Sequence, residues 1–117
     1  MKKTSHKNQR INGEVQRELS RIITMEIKDP RINPMTSVTD VIVTPDLKYC
    51  KAFISVLGDE QSGKETIEVL KNAAGYIRRE LARSINLRNT PELTFVLDNS
   101  IEYGIEMSKK IDDVLNN

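Results

Sequence analysis

The sequence predicts an α+β fold, one domain in which helices pack on a three-stranded sheet. Apolar residues recur at helical spacing over two long stretches, from about residue 8 to 28 and from Ile67 to Ile85. Two segments between them, TSVTDVIVT (36–44) and YCKAFISVL (49–57), are β-branched or alternate with a period of two, and LTFVL (93–97) adds a third strand. At 117 residues the chain has room for one core and not for two.

In the first helix Ile11, Val15, Leu19, Ile22, Ile23 and Ile27 form the apolar stripe, and Pro30 stops it by pushing Asp29 out of the helical region. Pro45-Asp46-Leu47-Lys48 separates the first two strands as a turn, which makes them an antiparallel hairpin. GDEQSGK then reads as a flexible, polar, acidic loop. Beyond it Ile67, Leu70, Ala74, Ile77, Leu81 and Ile85 lie on one side of a helical wheel, while Lys71, Gly75, Arg79 and Arg83 form a row on another, with Arg78 beside it. After the third strand, Asp98-Asn99-Ser100 resembles a helix cap, and an acidic helix is expected over about 99–117 with Ile101, Ile105, Ile111, Val114 and Leu115 inward.

Composition excludes several classes of function. No apolar run approaches the roughly 20 residues that span a bilayer, and the basic start MKKTSHKNQR lacks the apolar stretch of a secretory signal, so the protein is expected in the cytoplasm, away from membranes. Cys50 is the only cysteine and alternates with Ala52, Ile54 and Val56, as a buried, inert thiol would. His6 is the only histidine, so neither an ordinary zinc site nor a Ser-His-Asp triad can be assembled around it. No cofactor and no small-molecule substrate are expected.

One motif invites a nucleotide and is refused on chemistry. GDEQSGKE matches G-x-x-x-x-G-K through Gly58, Gly63 and Lys64, but the next residue must offer a hydroxyl to magnesium and is Glu65. Asp59 and Glu60 would also face the phosphates.

The net charge of +1 hides a separation into blocks. Residues 1–51 carry +4, 52–70 carry −3, 71–90 carry +4 and 91–117 carry −4. Two basic blocks on elements that pack together would make one basic face, the footprint of a nucleic-acid partner.

Helix, hairpin, two abutting helices and a strand match the minimal order of the bacterial (type II) KH domain. Such domains usually carry G-x-x-G between the two helices to clamp a strand. This chain has none and presents Ala73-Ala74-Gly75 there instead. Further stretches carry a more specific likeness: Lys28-Asp29-Pro30-Arg31, Thr39-Asp40-Val41, Asp46-Leu47, Ile54-Ser55-Val56-Leu57-Gly58, Ala74-Gly75-Tyr76-Ile77-Arg78, Leu87-Arg88 with Pro91-Glu92-Leu93, and Asp98 with Ser100-Ile101-Glu102-Tyr103-Gly104. In that order they resemble the ribosome-binding factor A family over nearly the full chain.

The resemblance implies one KH-like ribosome-binding domain over 1–117, with a basic tail at about 1–7 and the acidic C-terminal helix. It implies a cytoplasmic, non-enzymatic assembly factor, a monomer when free. Such a factor binds the 30S small ribosomal subunit, assists late maturation of 16S rRNA and its precursor, including the 5′ end, and leaves before translation. It also implies a role in the cold and an Ala-x-Gly kink, satisfied by Ala73, Ala74 and Gly75. The expected RNA-binding residues are Lys7, Arg10, Arg78, Arg79 and Arg83, with Arg31 and Arg88 at the margins. Gly75 has two readings, a kink that presents the arginines to phosphates or a glycine needed for close packing on the sheet. Two other functions fit less of the sequence: a general single-stranded RNA-binding module, and an adaptor docking a basic ribosomal protein through its acidic blocks.

Overall fold

The computed structural model describes the backbone of residues 6–98 and the side chains of residues 9–98. The elements are α1 (His6–Met25), β1 (Thr36–Val43), β2 (Tyr49–Val56), α2 (Glu60–Asn72), α3 (Ala74–Ser84) and β3 (Glu92–Leu97). The helix expected at 99–117 lies outside the described residues. β2 is the central strand, antiparallel to β1 and parallel to β3.

Alternation along the strands decides which face the helices cover. Cys50, Ala52 and Ile54 of β2 are buried with Val41, Val43, Leu93 and Phe95 of the outer strands, whereas Tyr49, Lys51 and Thr94 are exposed. Val15, Leu19 and Ile22 of α1, Leu70 of α2, and Ile77 and Leu81 of α3 join this core with no solvent exposure. Each such side chain contributes roughly 1.5–3 kcal/mol by leaving water, so these six outweigh any surface ion pair. Burial pushes the Cys50 thiol up to about 12, the inert state expected of it.

The hairpin turn carries backbone strain. Leu47 has φ 61°, unusual for a side chain branched at Cγ, yet it is only 7% exposed. The turn is held because the Leu47 N–H donates to the Thr44 carbonyl at 2.9 Å, while Asp46 Oδ1 accepts from Thr44 Oγ1 at 2.7 Å and the Lys48 N–H at 3.0 Å. Thr39 is the extra residue of a bulge, since Val38 pairs with Ile54 and Asp40 with Phe53.

Three boundaries differ from expectation. α1 begins at His6, so Lys7 lies in its first turn and not in a tail. It ends at Met25, before Pro30, because the Glu26 and Ile27 N–H groups both close on the Ile22 carbonyl at 2.9 and 3.1 Å. The third difference is larger: GDEQSGK is not a flexible loop. Asp59 caps a helix that starts at Glu60, accepting from the Ser62 N–H at 2.7 Å, and Gly63 is buried in its first turns. The acidic character that suggested a loop is what a helix N-terminus favours.

Candidate nucleic-acid interface

α2 and α3 are separate helices, and the break lies at Ala73. Its φ of −93° and ψ of 4° fall in the bridge region open to any residue, and its N–H still donates to the Val69 carbonyl at 3.0 Å. Gly75 sits in the first turn of α3, exposed, with φ outside the left-handed region and nothing within 4 Å of where a Cβ would stand. The close-packing reading of Gly75 is therefore overturned, and the kink does not need glycine geometry at this position. Packing constrains Gly63 instead, where a Cβ would come 3.1 Å from Leu97 Cδ2.

α3 turns Ile77 and Leu81 into the core, which obliges Arg78, Arg79 and Arg83 to face out. The three then differ. Arg78 is tied to the scaffold: its Nη2 and Nε donate to the Thr90 carbonyl at 2.7 and 3.2 Å, fastening the α3–β3 link. Arg83 holds Glu80 loosely at 3.3 Å with 75% of its side chain exposed. Arg79 has no partner among the described residues. A phosphate would meet Arg79 and Arg83 without breaking anything the fold relies on.

A second basic group forms where α1, the hairpin turn and the α3–β3 link converge on a groove of about 390 Å³. Arg10 and Arg88 line it from opposite ends of the chain. Arg10 is 83% exposed and pairs with Glu14 at 3.6 Å, a separation too long for a strong hydrogen bond. Asn89 fastens the link to the turn by donating to the Leu47 carbonyl at 2.8 Å.

Arg31 is not brought into this group. It lies beyond the far end of α1, roughly 22 Å along the helix from Arg10 at 1.5 Å per residue. Its guanidinium is engaged by Asp29, at 2.8 Å from Nη2 to Oδ2 and 3.1 Å from Nε to Oδ1. The Arg31 side chain, with its own backbone N–H, holds the Asp29 carboxyl down to about 2. Asp29-Pro30-Arg31 is thus a closed turn, the structural content of that motif.

Sequence reasoning missed the polar seam between α1 and α3. Arg21 donates to Glu18 at 2.9 Å, Glu26 at 2.7 Å and Ser84 Oγ at 3.0 Å, and the Tyr76 hydroxyl donates to the other Glu26 oxygen at 3.1 Å. The Arg21 hydrogen bond is the main cause that lowers Glu26 below the usual carboxylate range. The spacing of Glu18 and Arg21 was a readable i, i+3 signal, but the links to Tyr76 and Ser84 are not local. Asn33 was missed as well: its side chain bridges the Leu57 carbonyl at 3.0 Å and Ser62 Oγ at 2.8 Å, and its backbone N–H reaches Thr66 Oγ1 at 3.2 Å.

A family profile described as ribosome-binding factor A matches residues 7–111. The chain belongs to the ribosome-binding factor A family. A relative of that name from Lachnospira eligens is 72% identical over 114 residues, covering 97% of this chain and 88% of the relative. The crystal structure of ribosome-binding factor A from Thermus thermophilus superposes with a TM-score of 0.68 at 21% identity, over 77% of this chain and 94% of that one. Coordinates of the Thermus thermophilus factor fitted into the cryo-EM map of a 30S complex give 0.62 at 20% identity, over 75% and 91%. At these identities the two structures speak for the fold alone, an α+β arrangement of helices on a three-stranded sheet. No described helix is long and apolar enough to cross a membrane.

Proposed function

We propose that this protein is a non-enzymatic, cytoplasmic assembly factor that binds the 30S small subunit and assists late 16S rRNA maturation, including 5′-end processing, before leaving ahead of translation. Membership of the ribosome-binding factor A family carries this reading, and a Thermus thermophilus member has been fitted into the map of a 30S complex. The domain is KH-like and spans 1–117. It works without the G-x-x-G clamp, and its partners are 16S rRNA and its precursor, met as a free monomer.

The contact surface comprises Lys7, Arg10, Arg79, Arg83 and Arg88. Arg78 and Arg31 contribute by holding the α3–β3 link and the Asp29 turn in shape. Binding is anchored mainly through phosphate contacts, which position the protein on the RNA backbone. Ala73 sets the angle at which α3 presents its arginines.

Co-sedimentation with separated small subunits, large subunits and free RNA at several salt concentrations tests the function. Retention by small subunits alone, weakening with salt, is the expected result. Equal retention by both subunits, or by free RNA only, would overturn it.

A further inference from the structure

The groove beside α1 holds more than phosphate binding requires. Part of its lining is apolar: Ile11 from α1, Pro45 and Leu47 from the turn, and Leu87 from the α3–β3 link. The hairpin turn holds Leu47 there in its left-handed conformation. Arg10 and Arg88 supply two cations to its walls.

Glu14 lines the same groove with its side chain 37% exposed. A carboxylate weakens phosphate binding, so it suits this groove only if the occupant also presents N–H donors. Its ion pair with Arg10, long and solvent-exposed, is worth little to the fold and is free to open.

A flat apolar body, flanking negative charge and a pair of adjacent donors describe one chemical object. We propose that the groove takes a single unpaired guanine extruded from folded RNA, an inference that rests on the RNA-binding function proposed above. The base lies on Ile11 and Leu87, its neighbouring phosphates meet Arg10 and Arg88, and the Glu14 carboxylate accepts from N1–H and N2–H. Guanine alone offers two adjacent N–H donors on its pairing edge. Adenine and cytosine set one amino group beside a bare nitrogen acceptor, and uracil sets one N–H between two carbonyls. A carboxylate accepts without donating, so only guanine satisfies both oxygens.

The test uses the full-length protein and four hairpin RNAs that differ only in one bulged nucleotide, with affinities read by fluorescence anisotropy at fixed salt. The guanine bulge should bind about tenfold more tightly than the other three, within the range of one bidentate base contact. Glu14→Gln should abolish that preference without weakening the other three, and Arg88→Gln should weaken all four alike. Equal affinities, the signature of a groove that takes an acidic peptide or only backbone phosphates, would overturn the proposal. So would a guanine preference that survives Glu14→Gln, or no binding to any hairpin. Both variants change surface side chains, and an unchanged urea midpoint shows that they fold. Loss of small-subunit retention with the guanine preference intact would sink the assembly function and leave the pocket standing.

Discussion

Gly63 of α2 lies against Leu97 of β3 so closely that an added Cβ would stand 3.1 and 3.3 Å from the two Leu97 methyl carbons. A side chain here would have to push the Leu97 methyls aside by a few tenths of an ångström. Gly75, roughly 18 Å along the helical path at 1.5 Å per residue, has open space instead.

The two glycines should therefore respond in opposite directions. Gly63→Val, which forces both methyls apart, should lower stability by about 1–3 kcal/mol. Gly75→Ala should raise it by up to about 1 kcal/mol through helix propensity, less if the first turn of α3 frays. Urea unfolding measures both. Because the break sits at Ala73, Gly75→Ala should leave small-subunit retention unchanged per folded molecule, and a lost retention would return the kink to Gly75.

The arginines of α3 should separate by phenotype. Charge reversal of Arg79 or Arg83 should weaken small-subunit retention and flatten its salt dependence by about one unit of log–log slope each, with stability nearly unchanged. Arg78→Ala should instead lower the urea midpoint, since it removes two donors from the Thr90 carbonyl. A destabilised Arg79 variant, or an Arg78 variant of normal stability, would contradict this division.

Acid should expose the Asp29 turn. The Asp29 carboxyl sits at about 2 in the fold against 3.8 for the ordinary group, held down chiefly by the Arg31 side chain. A depressed folded value means that its contribution is complete above the ordinary value and is lost as pH falls towards the folded one. Asp29→Asn should therefore destabilise the protein at pH 5 and differ progressively less from the parent as pH drops through 4 and 3. A gap in urea midpoint that stays constant down to pH 2.5 would exclude Asp29 as the titrating group.

Cys50 should report global opening. Its thiol is 1% exposed and raised to about 12 by burial, so an aromatic disulfide reagent should react roughly a hundredfold or more slowly than with unfolded chain. The rate should climb in proportion to the unfolded fraction as urea is added. Fast labelling of the native protein would mean that β2 opens locally.

The strands, the covering helices and the basic blocks were legible because their signals are local. Alternation from Cys50 to Ile54 and the stripe through Ile67, Leu70, Ile77 and Leu81 state which face is buried, and water enforces that choice whatever the surroundings. The same periodicity turned Arg78, Arg79 and Arg83 outward. What the sequence could not distinguish was how they would be used: Arg78 is spent on a carbonyl twelve residues away and Arg31 on its own turn, while Arg79 stays open.

Two other misreadings share that origin. GDEQSGK looked like a loop because glycine and acidic residues favour loops on average, yet Asp59 is a cap and Gly63 answers to Leu97 in another strand. Gly75 looked like the necessary glycine because it sits inside a helical pattern, in the row of Lys71, Arg79 and Arg83, though its would-be Cβ meets nothing. The sequence by itself determined the class of fold, the buried faces and the family, since these follow from periodicity and short motifs. Only the tertiary structure decided which glycine is sterically required, which arginines are free, and that Arg10, Glu14, Leu47 and Leu87 share a groove, because those depend on distances between residues far apart in the chain.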